Sequence, residues 1–108
     1  MLAAGQDSAL LRYSLGNAYL KADPDKAIMH LEMAVSLDSE YSAAWKILGK
    51  ARASIGDVSG ATAAFEAGIQ AAENNGDIQA MKEMQVFLRR LSKPLSDADK
   101  GVRSADED

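Results

Sequence analysis

The sequence predicts an all-α fold, and three observations carry that prediction. Apolar residues recur at helical spacing along nearly the whole chain. The composition is rich in alanine and poor in β-branched residues, which favours helix because alanine has no side-chain entropy to lose there. A short pattern of residues also returns after 33 to 34 positions, the mark of stacked helical hairpins. At 108 residues the chain allows one domain, in which nearly every element must contribute to a single core.

The helices follow in order. Leu11, Leu15 and Tyr19 mark the first, from about Ser8 to Ala22. Asp23-Pro24 reads as an N-cap followed by proline at the first helical position. The second helix carries Ile28, Leu31 and Val35 and fades near Asp38. A third begins around Ser39–Tyr41 and carries Ala44, Trp45, Leu48 and Ala51. Gly56-Asp57 ends it and caps a fourth, with Ala61, Phe65 and Ile69. Asn74-Asn75-Gly76-Asp77 is the next break, again ending in a capping aspartate. A fifth helix carries Ile78, Met81, Met84, Leu88 and Leu91, and Pro94 stops it.

Leu15-Gly16 recurs as Leu48-Gly49, 33 residues later, and Ala27, Leu31 and Ala34 recur as Ala61, Phe65 and Gly68, 34 residues later. Helices one to four are thus two copies of one hairpin. The motif reads Arg12-x2-Leu15-Gly16-x2-Tyr19 then Ala27-x3-Leu31 in the first copy. In the second it reads Trp45-x2-Leu48-Gly49-x2-Arg52 then Ala61-x3-Phe65. With these residues the chain resembles the tetratricopeptide-repeat (TPR) family, and in particular its small bacterial members. The resemblance implies a short right-handed α-solenoid of two repeats and a capping helix. Its parts would be an N-terminal extension (1–7), a repeat domain (8–92; repeats 8–40 and 41–75, capping helix 77–92) and an acidic tail (93–108). Gly16 and Gly49 should mark the closest approach of paired helices, since glycine in mid-helix costs roughly 0.5–1 kcal/mol without a packing reason. Ala27 and Ala61 should serve the same contact, with Leu48 and Phe65 beside it. Trp45 is expected to be the largest core contributor, with Trp45→Ala costing roughly 3–5 kcal/mol.

The resemblance also implies function. The first helix of each hairpin should line a concave groove that holds a peptide or protein segment. Here those residues are Leu10, Tyr13, Asn17, Lys21, Ala43, Lys46, Lys50 and Ser54, with Gln79 and Glu83 from the capping helix. The family's carboxylate clamp for acidic chaperone termini keeps only Asn17; Tyr13, Ile47, Gln79 and Glu83 replace its other polar groups. Lys21, Lys46 and Lys50 read either as solvated helix faces or as steering for an acidic segment.

Other classes find little support. There is no cysteine, so disulfides, thiolate metal sites and thiol catalysis are excluded. His30, the single histidine, reads as a solvated helix-face residue. Neither a nucleophile elbow nor a phosphate loop occurs, so no enzyme and no cofactor are expected. No apolar run approaches the roughly 20 residues of a membrane span, and Met1–Gly5 does not open a signal peptide, so a cytoplasmic home is expected. Residues 1–93 hold 10 Lys+Arg against 11 Asp+Glu, and residues 94–108 hold 2 against 5, so the net charge of −4 sits mostly in the tail. A near-neutral body argues against a nucleic-acid partner. The tail reads as a solubilising end, or as a segment that folds back onto the groove lysines. Met29 and Met33 read as an edge covered by the N-terminal residues, or as a stripe for homo-oligomer formation.

Overall fold

The structure, a computed structural model, describes residues 7–92. They form five helices: α1 (Ala9–Tyr19), α2 (Pro24–Leu37), α3 (Ser42–Ser54), α4 (Val58–Asn75) and α5 (Ile78–Ser92). No strand occurs among the described residues. The expected end of α5 at Pro94, the acidic tail and residues 1–6 of the N-terminal extension lie outside them.

Local chemistry sets the helix ends. The Ser8 hydroxyl accepts from the Leu11 N–H at 3.1 Å, and Asp23 accepts from the Lys26 N–H at 3.2 Å. α1 stops at Tyr19 rather than Ala22, because the Leu20 N–H turns back to the Asn17 carbonyl and the Asp23 N–H to that of Tyr19. α3 starts later than expected, at Ser42. Asp38 holds the preceding turn through its side chain to the Glu40 N–H (3.0 Å) and its carbonyl to the Tyr41 N–H (3.1 Å). At the end of α4, Gly76 adopts the left-handed conformation (φ 72°), and the Asp77 N–H reaches back to the Ala72 carbonyl at 2.8 Å. Asp77 then caps α5 through the Ala80 N–H at 3.1 Å.

Each helix packs on the next in the chain, and α1 meets α3 as α3 meets α5. This is the contact pattern of stacked hairpins. The repeat motif is visible in the packing. A Cβ on Gly16 would lie 2.8 Å from Leu31 Cδ2, and one on Gly49 would lie 2.5 Å from Phe65 Cε1. Ala27 and Ala61 are fully buried beside these contacts. Gly68 plays the same part toward the capping helix, with Trp45 Cβ and the Met84 sulfur against the space its side chain would need.

Two expectations are refined. Trp45, expected to contribute most to the core, packs against it without being fully buried: the largest fully buried side chains are Phe65, Leu31, Leu48 and Met84. Trp45 is half-buried. Its indole N–H needs an acceptor and finds the Ser39 carbonyl at 2.8 Å in an exposed loop, which holds the ring at the rim. His30 is not simply solvated either. It is half-buried and stacked on the Tyr19 ring, with centroids 5.7 Å apart and planes at 7°. Its Nδ1 lies 3.1 Å from Arg12 Nη1, and since guanidinium only donates, Nδ1 is the acceptor.

Candidate functional site

Between the α1–α2 turn, α3 and α5, three adjoining hollows share Lys50. One of about 410 Å³ is lined by Lys46, Lys50, Glu83, Val86, Phe87 and Arg90. A second, of about 430 Å³, takes in Leu20, Lys21, Pro24, Lys50 and Ser54. The third, of about 340 Å³, runs beneath Lys50 over Ala53, Phe65, Phe87 and Leu91. Together they form a channel from the α1–α2 turn, across α3, to the last turns of α5.

The expected groove residues divide. Lys21, Lys46, Lys50, Ser54 and Glu83 are brought together in these hollows. Tyr13 instead packs on Tyr41, ring centroids 5.1 Å apart, and joins the core of the first repeat. Burial, with Tyr13 beside it, pushes the Tyr41 hydroxyl above the usual tyrosine range. Asn17 and Leu10 are exposed on α1, outside the lining of the three hollows. Ala43 is half-buried, and Gln79 donates to Glu83 Oε2 at 3.4 Å. Ile47, in a clamp position, is buried and faces the core.

Charge in the channel is not uniform. Lys46 Nζ donates to Glu83 Oε1 at 2.8 Å, joining α3 to α5. That hydrogen bond, with a second from Gln79 and the fields of Lys46 and Lys50, holds the Glu83 carboxyl below the usual glutamate range. Lys46 is therefore paired. Among the described residues no carboxylate pairs with Lys21, Lys50 or Arg90. Lys50 Nζ lies 5.5 Å from the Phe87 ring centroid and the Arg90 guanidinium 5.8 Å from it. Phe87 itself stacks on Phe65 at 5.4 Å, so the channel floor is anchored to the core.

Val86, Phe87 and Arg90 are channel residues that sequence reasoning missed. Glu83, Phe87 and Arg90 fall at i, i+4 and i+7 on α5, one helical stripe, and that spacing was the available signal. The groove residues expected on α5 were Gln79 and Glu83 alone, in its first two turns.

Helical hairpins stacked in this way define a helical-repeat fold. No family model matches the chain. Over 94 residues it is 53% identical to a TPR repeat-containing protein of Pseudomonas aeruginosa, spanning 86% of this chain and 90% of that one. It is 37% identical over 84 residues to a heat-shock protein cognate co-chaperone of Aspergillus fumigatus, covering 78% of this chain but 24% of that longer protein. A solution structure of a Bordetella parapertussis protein superposes with a TM-score of 0.72 at 39% identity, over 95% of both chains. A tetratricopeptide repeat domain protein of Salinibacter ruber shares the fold, with a TM-score of 0.72 at 22% identity over 94% of this chain and 95% of that one. The chain belongs to the tetratricopeptide-repeat family.

Proposed function

We propose that the chain is a protein-interaction scaffold that holds an extended, acidic peptide or protein segment in the channel from the α1–α2 turn across α3 to α5, and catalyses nothing. The observation that carries this reading is the Phe87 ring at the channel floor with two cations against it, Lys50 and Arg90, that pair with no carboxylate among the described residues. A carboxylate arriving there meets both charges while its apolar neighbours cover Phe87 and Leu91. Lys21 extends the positive line toward the α1–α2 turn. The channel lacks the carboxylate clamp of its family, so a chaperone terminus is not the ligand this lining favours. The co-chaperone relative supports protein binding as the general role and leaves the partner to be set by this chain's own residues.

A panel of fluorescein-labelled acidic and neutral peptides, titrated by anisotropy, tests the reading. Acidic peptides should bind and neutral ones of equal length should not. Lys50→Glu/Arg90→Glu should weaken binding at least tenfold, while Lys82→Glu, on an exposed face of α5, should leave it unchanged. Equal affinity for both peptide classes, or indifference to Lys50→Glu/Arg90→Glu, overturns it.

A further inference from the structure

The face that the first repeat turns away from the second is apolar and, among the described residues, uncovered, and the chain contains its own guide to what such a face does. The pairs Gly16–Leu31 and Gly49–Phe65 fix the correspondence between repeats: 33 residues for first helices and 34 for second helices. In the second repeat, Ala44, Ile47, Ala51, Ala64 and Ala71 are each at most 6% exposed. The first four pack into one cluster with Ala27, Leu31 and Val35 of α2, so these positions are where one repeat stacks on its predecessor. Their counterparts in the first repeat are Leu11, Ser14, Ala18, His30 and Leu37, all exposed except the half-buried His30. Met33 and Met29 extend the patch along α2.

The outer face of a terminal repeat is ordinarily polar, because solubility requires it. Here Leu11 is 40% exposed, Met33 40%, Leu37 49% and Met29 54%. At those exposures the four side chains offer roughly 400 Å² of apolar surface, within the roughly 300–600 Å² of the largest patch on a typical monomer, a patch that is often functional. Set within a polar rim, that suffices for the apolar core of an interface burying about 800 Å² per partner.

We propose that the occupant is a second copy of this chain, docked about a two-fold axis with α1 and α2 of one protomer against α1 and α2 of the other. None of the face residues is Lys, Arg, Asp or Glu, and Arg12, which reaches His30 of the face, is itself paired with Asp7, so the patch can meet itself with little opposition of like charges. Head-to-tail stacking is disfavoured by the other end of the molecule. There a hollow of about 420 Å³ between α4 and α5 is bordered by Glu66, Gln85 and Arg89, and Met and Leu side chains would strip those charges of water without pairing them. The two-fold arrangement leaves Lys50, Phe87 and Arg90 open, so it stands independently of the peptide reading.

Sedimentation velocity on the full chain, across about two decades of concentration bracketing a micromolar Kd, tests the proposal. The mass should rise from one chain to two and stop there. Met33→Lys/Leu37→Lys should remain at one chain throughout, with helical circular dichroism retained. Because the protein has no cysteine, single cysteines give a second readout. Ser14→Cys should form a disulfide-linked dimer on mild oxidation, and Gln85→Cys should not. A mass of one chain at every concentration overturns the proposal, including the case where residues 1–6 or a different partner cover the face. So does a dimer that survives Met33→Lys/Leu37→Lys. Growth beyond two chains, or cross-linking only when Ser14→Cys and Gln85→Cys are mixed, overturns the two-fold arrangement in favour of a head-to-tail one.

Discussion

Gly49→Ala sets two effects of opposite sign against each other. In the middle of a helix alanine is better than glycine by about 1 kcal/mol, so propensity alone predicts a more stable protein. The added methyl, however, would sit 2.5 Å from Phe65 Cε1 and 2.7 Å from Cδ1 and Cζ. Carbon atoms in good contact are about 3.5–4.0 Å apart, so the ring must move by roughly an ångström. Phe65 is 1% exposed and stacked on Phe87, and it cannot move without disturbing both the core and the channel floor. Overpacking of this kind costs about 1–3 kcal/mol, and a rigid ring places it toward the upper end. After subtracting the propensity gain, Gly49→Ala should destabilise by about 1–2 kcal/mol, or about 4–16 °C in Tm for a domain of this size. Thermal melts by far-UV circular dichroism measure it. Phe65→Leu recreates the Gly16–Leu31 pair and supplies a side chain that can change rotamer. In that background Gly49→Ala should cost less, with a coupling of about 0.5 kcal/mol or more. A Tm that rises in Gly49→Ala, or an equal shift in both backgrounds, would refute the close-approach argument.

Two further outcomes follow from the packing and the charge pattern. Phe65→Ala should cost about 3–5 kcal/mol in urea unfolding, and Trp45→Ala distinctly less because Trp45 lies at the rim; the reverse order would return Trp45 to the centre of the core. Glu83 has a folded-state pKa below its ordinary value of 4.5, so the stability it contributes with Lys46 is present above that pH and lost as pH falls through the folded value. Tm measured at neutral pH and in acid should therefore fall less in Glu83→Gln than in the wild type, and freeing Lys46 in that variant should tighten acidic-peptide binding at neutral pH.

What the sequence revealed, and what it hid, divides by the range of the interaction. Helix ends were legible because Ser8, Asp23, Asp57 and Asp77 cap through hydrogen bonds to residues three positions away. The repeat was legible because Gly16 and Gly49 answer to one steric rule, each against the large residue on the facing helix. Depth of burial was not. Trp45 is set at the rim by Gly68 on α4 and by the Ser39 carbonyl, and neither is visible from the motif. The groove lysines looked equivalent until the fold brought Glu83, 37 residues away in sequence, onto Lys46 and left Lys50 beside Phe87. Tyr13 occupied a groove position by helix phase, and Tyr41 drew its ring into the core instead.

The two aromatic positions missing from the repeat motif show how one fold tolerates such losses. Arg12 stands where the second repeat has Trp45, and its guanidinium donates to Asp7 at 2.7 and 3.2 Å and approaches His30. Arg52 stands where the first repeat has Tyr19, and it reaches Glu32 at 2.8 Å and the Gly60 carbonyl at 3.1 Å. Each arginine thus ties its helix to the second helix of a hairpin, as the absent ring would by contact. These ion pairs are partly solvated, and pairs of that kind contribute little stability, about 0–1 kcal/mol each. The apolar burial therefore has to come from elsewhere, and it comes from residues outside the motif: Phe87 against Phe65, Met84 against Gly68, and His30 against Tyr19. The first two of these contacts lie on α5. The capping helix is accordingly more than a lid on the second repeat. It completes the core that the imperfect motif leaves short, and through Phe87 it lays the floor of the channel. Stability and the proposed binding meet on Phe87.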